Sequence, residues 1–134
     1  MKYLLLMQFP LQDWRTKRMD LWPAPAMKAH MEYLRGFRKE LTEAGELVSV
    51  EGLVGPEEAR EVRAGKGGHP EVTDGPFAES KEFLAGYVVV DVDSPRRAYE
   101  IAALWSAGPG PDGKPGNLPV QVRQLMSGAV KSSE

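Results

Sequence analysis

A chain of 134 residues fits one domain, long enough to bury roughly 65–70% of its unfolded surface without a metal or disulfide. Seventeen Lys and Arg against nineteen Asp and Glu give a formal charge of −2 with no basic run, which argues against direct nucleic-acid binding. Cysteine is absent, excluding a disulfide framework, thiolate catalysis and thiolate metal sites, and no apolar run approaches the roughly 20 residues that span a bilayer.

The opening Met1-Lys2-Tyr3-Leu4-Leu5-Leu6-Met7 has the apolar density of a short signal segment, but Gln8, Pro10, Gln12 and Asp13 follow at once without a small-residue cleavage site. Residues 2–9 therefore read as a buried strand stopped by Pro10. Residues 10–25, with three prolines, two tryptophans and mixed charge, read as a loop with about one helical turn. Residues 25–44 form a helix: Met27, Met31, Leu34, Phe37 and Leu41 step at three or four and make one apolar stripe. Pro25 suits its first turn and Gly45 the position just past its end.

Leu47, Val48, Val50 and Leu53 mark a second strand over residues 46–53, in which Gly52 implies a bulge or close approach. Residues 60–64 and 71–74 read as a hairpin turning at Gly65-Lys66-Gly67-Gly68-His69-Pro70. Tyr87-Val88-Val89-Val90 centres a strand over residues 84–92. Ser94 caps and Pro95 opens a second helix, with Ala98, Ile101, Ala102 and Trp105 on one face. Residues 107–119, rich in Gly and Pro, form a loop, and residues 120–126 a last strand. Residues 1–126 make a single domain and 127–134 a polar tail. The element order predicts an α+β fold: a ferredoxin-like split βαβ sandwich with an inserted β-hairpin. Two helices cover one sheet face only, so the apolar other face predicts a homodimer.

The segment Val72-Thr73-Asp74-Gly75-Pro76-Phe77-Ala78-Glu79-Ser80-Lys81-Glu82 resembles the DGPF signature of YCII-related proteins. Ala44-Gly45-Glu46-Leu47 and Glu51-Gly52-Leu53 stand where that family has its helix end and second strand, and Ala85-Gly86-Tyr87 resembles its glycine–aromatic strand start. The resemblance covers about residues 3–124 and is most specific over 72–87. It implies a dimeric α/β barrel with a cleft between sheet and helices. Some members act on small ring compounds, and some are linked with alternative sigma factors. Gln121 stands where the family's last strand more often has a carboxylate.

Asp74 reads in two ways. Asp-Gly-Pro is turn chemistry, in which the carboxylate accepts backbone N–H bonds; it is also a carboxylate at the lip of a cleft, placed to act as a base. Glu79, Lys81 and Glu82 are a mixed-sign cluster, read either as ion pairs or as ligand contacts, with too few ligands for a metal. His30 lies beside the apolar stripe, either as a partly buried helix histidine or as the histidine that the resemblance associates with catalysis; an imidazole titrating near neutrality suits a proton shuttle. Asp13, Asp20 and Asp74 are the carboxylates available to orient it. His69 belongs to an exposed turn tip and gives no metal spacing with His30. The Gly65–Gly68 run lacks the ending of a phosphate loop, and Ser80 lacks a nucleophile elbow. Trp14 and Trp22 read as packing or as a lid; Arg15, Lys17 and Arg18 as a solvated face or an attraction for an anion.

The reading that follows is a cytoplasmic small-molecule protein with acid–base chemistry of lyase or isomerase type on an apolar or cyclic substrate. Its catalytic residues are His30 and Asp74, and its ligand-binding residues Tyr3, Leu5, Phe77, Glu79, Lys81 and Tyr87. No cofactor, metal or membrane enters it. The alternative is a non-catalytic accessory protein associated with transcription initiation.

Overall fold

The computed structural model describes residues 1–75 and 81–129. A four-stranded antiparallel sheet is built from β1 (Lys2–Pro10), β2 (Leu47–Gly52), β5 (Glu82–Asp91) and β6 (Val120–Gln124), in the order β2-β5-β1-β6. A separate two-stranded hairpin, β3 (Arg60–Ala64) and β4 (Pro70–Asp74), is inserted between β2 and β5. Strand β5 lies between β1 and β2 and runs antiparallel to both, so β1 and β2 are the parallel pair of a split βαβ unit. The fold is α+β and ferredoxin-like.

The chain between β1 and the first long helix is a strap of single turns, including the short helix α1 (Trp14–Lys17). Helix α2 (Ala24–Glu43) starts just after Pro23, with Pro25 in its first turn. It ends at Ala44, and Gly45 takes φ +72°, the left-handed conformation that glycine adopts without steric cost. Helix α3 (Pro95–Ser106) has Ser94 as N-cap, whose hydroxyl accepts from Arg97 N–H at 3.3 Å. A short helix α4 (Met126–Ala129) follows β6, where the end of the last strand and a polar tail were expected.

The core is one cluster on one side of the sheet. Tyr3 and Leu5 of β1 and Val88 and Val90 of β5 meet Phe37 and Leu41 of α2 and Ala98, Ile101, Ala102 and Trp105 of α3. Of the α2 stripe only Phe37 and Leu41 are deeply buried, and Met31 stays 44% exposed. The opposite face carries Leu4, Leu6, Tyr87 and Val89, paired in register across β1 and β5 and flanked by Ser49, Glu51, Gln121 and Arg123. Both long helices pack on the other side.

Gly52 takes part in a close approach rather than a bulge: it pairs with Gly86, where a Cβ would meet Glu51 O at 2.9 Å. The register shift in β2 lies earlier, between Leu47 and Ser49. Among the described residues no helix is long and apolar enough to cross a membrane.

Candidate functional site

The helix-facing row of β1 leads to the site. Tyr3 and Leu5 are 5% and 0% exposed and fill the core, so they leave no room for a ligand. Beyond them the row continues to Met7 and Phe9, past the end of the tight α2–α3 packing. There the strap after β1, the start of α2, the end of α3 and the loop before β6 enclose a cavity of about 230 Å³. Its lining includes Met7, Phe9, Asp13, Lys17, Trp22 and His30 from the first part of the chain, and Trp105, Ser106 and residues of the 108–118 segment from the last.

His30 is half-buried, and its Nδ1 donates to the Pro109 carbonyl at 2.9 Å. The Trp22 ring stands edge-to-face against the imidazole, centroids 5.2 Å apart and planes at 82°. Trp22 is held in turn by its own Nε1–H, which donates to Lys17 O at 2.8 Å. Asp13 and Lys17 form a helical-spacing ion pair at 3.6 Å, with 29% of the Asp13 side chain exposed. Of the three carboxylates considered as partners for His30, Asp13 is the one in the same cavity. The pair balances its own charge, and the remaining walls are mostly aromatic rings, proline and glycine.

Asp74 is elsewhere. It closes β4, its side chain is 81% exposed, and Arg60 Nε meets it at 3.0 Å. The structure does not bring it to the His30 cavity, because the hairpin stands apart from the four-stranded sheet. Lys81 is exposed and its carbonyl accepts from Leu11 N–H at 2.9 Å, tying the strap to β5. Tyr87 lies on the sheet face away from the helices, opposite Leu6 and Glu51. Phe77 and Glu79 lie outside the described residues. Tyr3, Leu5 and Tyr87, assigned from the sequence to one cleft with His30, are therefore separated: two are core and one is on the far face.

Trp14 packs in an aromatic cluster with Phe9 and Phe83, centroids 5.3–6.2 Å apart, and donates to Glu57 at 2.9 Å. It braces the wall, whereas Trp22 lines the cavity. The glycine run at residues 65–68 is a hairpin turn, with Gly67 at φ +68° and His69 exposed at the tip. A second cavity of about 400 Å³ lies at the foot of the hairpin, lined by Leu11, Leu53, Val54, Pro56, Phe83 and Leu84 among others. Among the described residues that line it, the titratable groups are the carboxylates Glu58 and Glu82. Among the described residues no group of three His, Cys, Asp or Glu is placed to hold a metal ion.

The family model described as YCII-related domain matches residues 1–108. The chain belongs to the YCII-related family. A search among curated proteins found no match. In this YCII-related chain the matched span supplies β1, the strap, α2 and α3, and with them His30, Asp13, Lys17 and Trp22. The remaining wall, from Pro109 onward, lies beyond the matched span.

Sequence reasoning missed Met7, Phe9, Trp105, Ser106 and Pro109 as cavity residues. Trp105 was legible as a core position, which it also is at 8% exposed. Pro109 carried no local signal, since its partner His30 is 79 residues away in the chain.

Proposed function

We propose that this YCII-related protein binds a small apolar or cyclic molecule with an acidic C–H or O–H group, and that His30 moves one proton on it in a lyase- or isomerase-type step. The observation that carries the reading is the cavity itself, which joins an imidazole, a carboxylate and an ammonium group to aromatic walls. Its volume of about 230 Å³ equals the share of about eight water molecules, below the usual range for drug-sized ligands. In the simplest step the imidazole takes a proton from the substrate's acidic C–H. The electron pair of that bond stays on the substrate as an enolate, and the imidazolium returns the proton at another carbon. Such a step needs one base in a shielded pocket. Lys17, 60% exposed at its side chain, is placed to accompany the negative charge that develops.

The test is deuterium uptake in heavy water by a panel of small cyclic enols, phenols and enol lactones, read by proton NMR, with ligand-induced melting shifts run in parallel. Wild type should speed exchange for at least one ring, and His30→Ala should lose about 10²- to 10⁴-fold of it. Exchange that survives unchanged in His30→Ala, or no binding across the panel, would overturn the reading.

The protein is further proposed to act as a homodimer through the sheet face of Leu4, Leu6, Tyr87 and Val89. What supports this is an apolar face that neither long helix covers. One feature favours the second reading, a non-catalytic accessory protein with a protein partner in transcription initiation: the hairpin exposes Val62 and Val72 at 59% and 58%, directly opposite each other.

A further inference from the structure

We infer that Pro109 is a positioning residue for His30: the 108–118 segment is a rigid frame whose Pro109 carbonyl presets the imidazole as the Nδ1–H tautomer and leaves Nε2 as the nitrogen that takes up a proton. The inference rests on the reading of His30 as the proton shuttle.

The hydrogen bond itself sets the tautomer. A backbone carbonyl can only accept, so the 2.9 Å contact between His30 Nδ1 and Pro109 O requires the proton on Nδ1. In the neutral ring the lone pair is then on Nε2, and the described residues offer Nε2 no hydrogen-bond partner. When Nε2 gains a proton both nitrogens become donors, and Pro109 O goes on accepting from Nδ1. The ring therefore need not flip between its two charge states. Trp22, edge-to-face on the imidazole, restricts the same rotation.

The frame is stiff enough to hold that carbonyl. Pro109 has its φ fixed by its own ring and forms a bridge with Pro115. Around it Gly116 N–H donates to Gly108 O at 2.8 Å, Gly110 N–H to Lys114 O at 2.8 Å, and Gly113 N–H to Gly110 O at 3.0 Å. The segment is tied to the end of α3 twice, by Asn117 N–H to Ser106 O at 2.9 Å and by Ser106 Oγ to Leu118 O at 2.7 Å. It is tied to β1 by Gln8 N–H to Pro119 O at 3.1 Å. From Pro109 on, all of this lies past the residues that the family model matches. The shuttle residue thus comes from the shared part of the domain and its orientation from the chain beyond.

The experiment is long-range proton–nitrogen NMR on protein labelled at histidine, above the titration range of the ring. His69→Gln assigns the signals, since the chain has two histidines. Wild type should show a pyrrole-type Nδ1 and a pyridine-type Nε2 at His30, the reverse of the tautomer that a free histidine side chain favours in water. In Gly116→Val the new Cβ would stand 3.3 Å from Gly108 O, so the Gly108–Pro109 arm must give by a few tenths of an ångström, and the branched side chain adds to that displacement. The His30 signals should then move toward the free pattern. An Nε2–H ring or a free-like mixture in wild type overturns the inference. So does a folded Gly116→Val with unchanged His30 signals. If that variant does not fold, the wild-type spectrum alone decides. No substrate is needed, so a protein that binds none of the rings yet shows Nδ1–H at His30 would sink the proposed function and leave the tautomer assignment standing.

Discussion

At the scale of single residues, a two-point ion pair joins Glu46, just before β2, to Arg97 in the first turn of α3. Both carboxylate oxygens accept from the guanidinium at 2.8 Å, and the Glu46 side chain is only 15% exposed. The hydrogen bonds from Arg97 hold the Glu46 carboxyl below its usual range, outweighing the burial that pushes it up. The same bonds raise Arg97 above its ordinary value. A bidentate, charge-assisted pair of this kind couples by about 1–3 kcal/mol, which a double-mutant cycle of Glu46→Gln and Arg97→Met should return. Because Glu46 is depressed in the folded state, its contribution is full above the unfolded carboxyl value of about 4.3. It is lost as pH falls through the lower folded value. The stability gap between wild type and Glu46→Gln, from urea midpoints, should therefore shrink toward zero on acidification below about pH 4. Asp74 is the contrasting case. Its partner Arg60 is exposed as well, and surface pairs contribute about 0–1 kcal/mol. Asp74→Ala should move the melting midpoint by no more than roughly 3–5 °C at fixed protein concentration; a larger fall would mean that the Asp-Gly-Pro turn, part of which lies outside the described residues, depends on this carboxylate.

At the scale of elements, local chemistry and packing agree most closely at α3. Ser94 accepts from Arg97 N–H, Pro95 needs no donor in the first turn, and Ala98, Ile101, Ala102 and Trp105 are buried in one stripe. Ser94→Ala removes the cap while leaving the stripe, and should cost about 1 kcal/mol by denaturant unfolding. The hairpin is the opposite extreme. Its strands lie within a residue of their expected bounds, because the glycine-rich turn and the β-branched arms are local signals. Yet all ten strand residues are exposed, and a lone two-stranded ribbon is marginal by itself. Asp74 was assigned to the cleft on the strength of its motif, and the hairpin carries it away from His30. Where the hairpin stands relative to the sheet was not a local property of the motif.

At the scale of the whole molecule, the unpaired feature is the sheet face opposite the helices. Leu6 is at its centre, half-buried and opposite Tyr87 on one side and Gln121 on the other. If a second copy covers this face, Leu6→Lys places a charge in a desolvated contact and should disperse the assembly. Sedimentation equilibrium should then give twice the chain mass for wild type and the single-chain mass for Leu6→Lys, with an unchanged circular dichroism spectrum. A single-chain mass for wild type at micromolar concentration would remove the dimer, and a dimer that survives Leu6→Lys would place the interface elsewhere.

The strands, the two long helices, their order and hence the ferredoxin-like topology were legible in the sequence, because apolar period, caps and turn residues act over a few neighbours; the short α4 was not. The sequence also singled out His30, Trp22, Lys17 and Asp13 as residues of interest, since each is of a reactive or unusual type in its segment. What it left open was which of them meet. Tyr3 and Leu5 share a strand face with Met7 and Phe9, and only the reach of the α2–α3 packing decides that the first two are core and the last two line a cavity. Tyr87 went to the far face through the two-residue period of its strand and the register of β5 against β1. The carbonyl that orients His30 comes from 79 residues away. No local pattern encodes such a pairing, because it is fixed by where the chain returns after α3, and that return exists only once the sheet and both helices are packed.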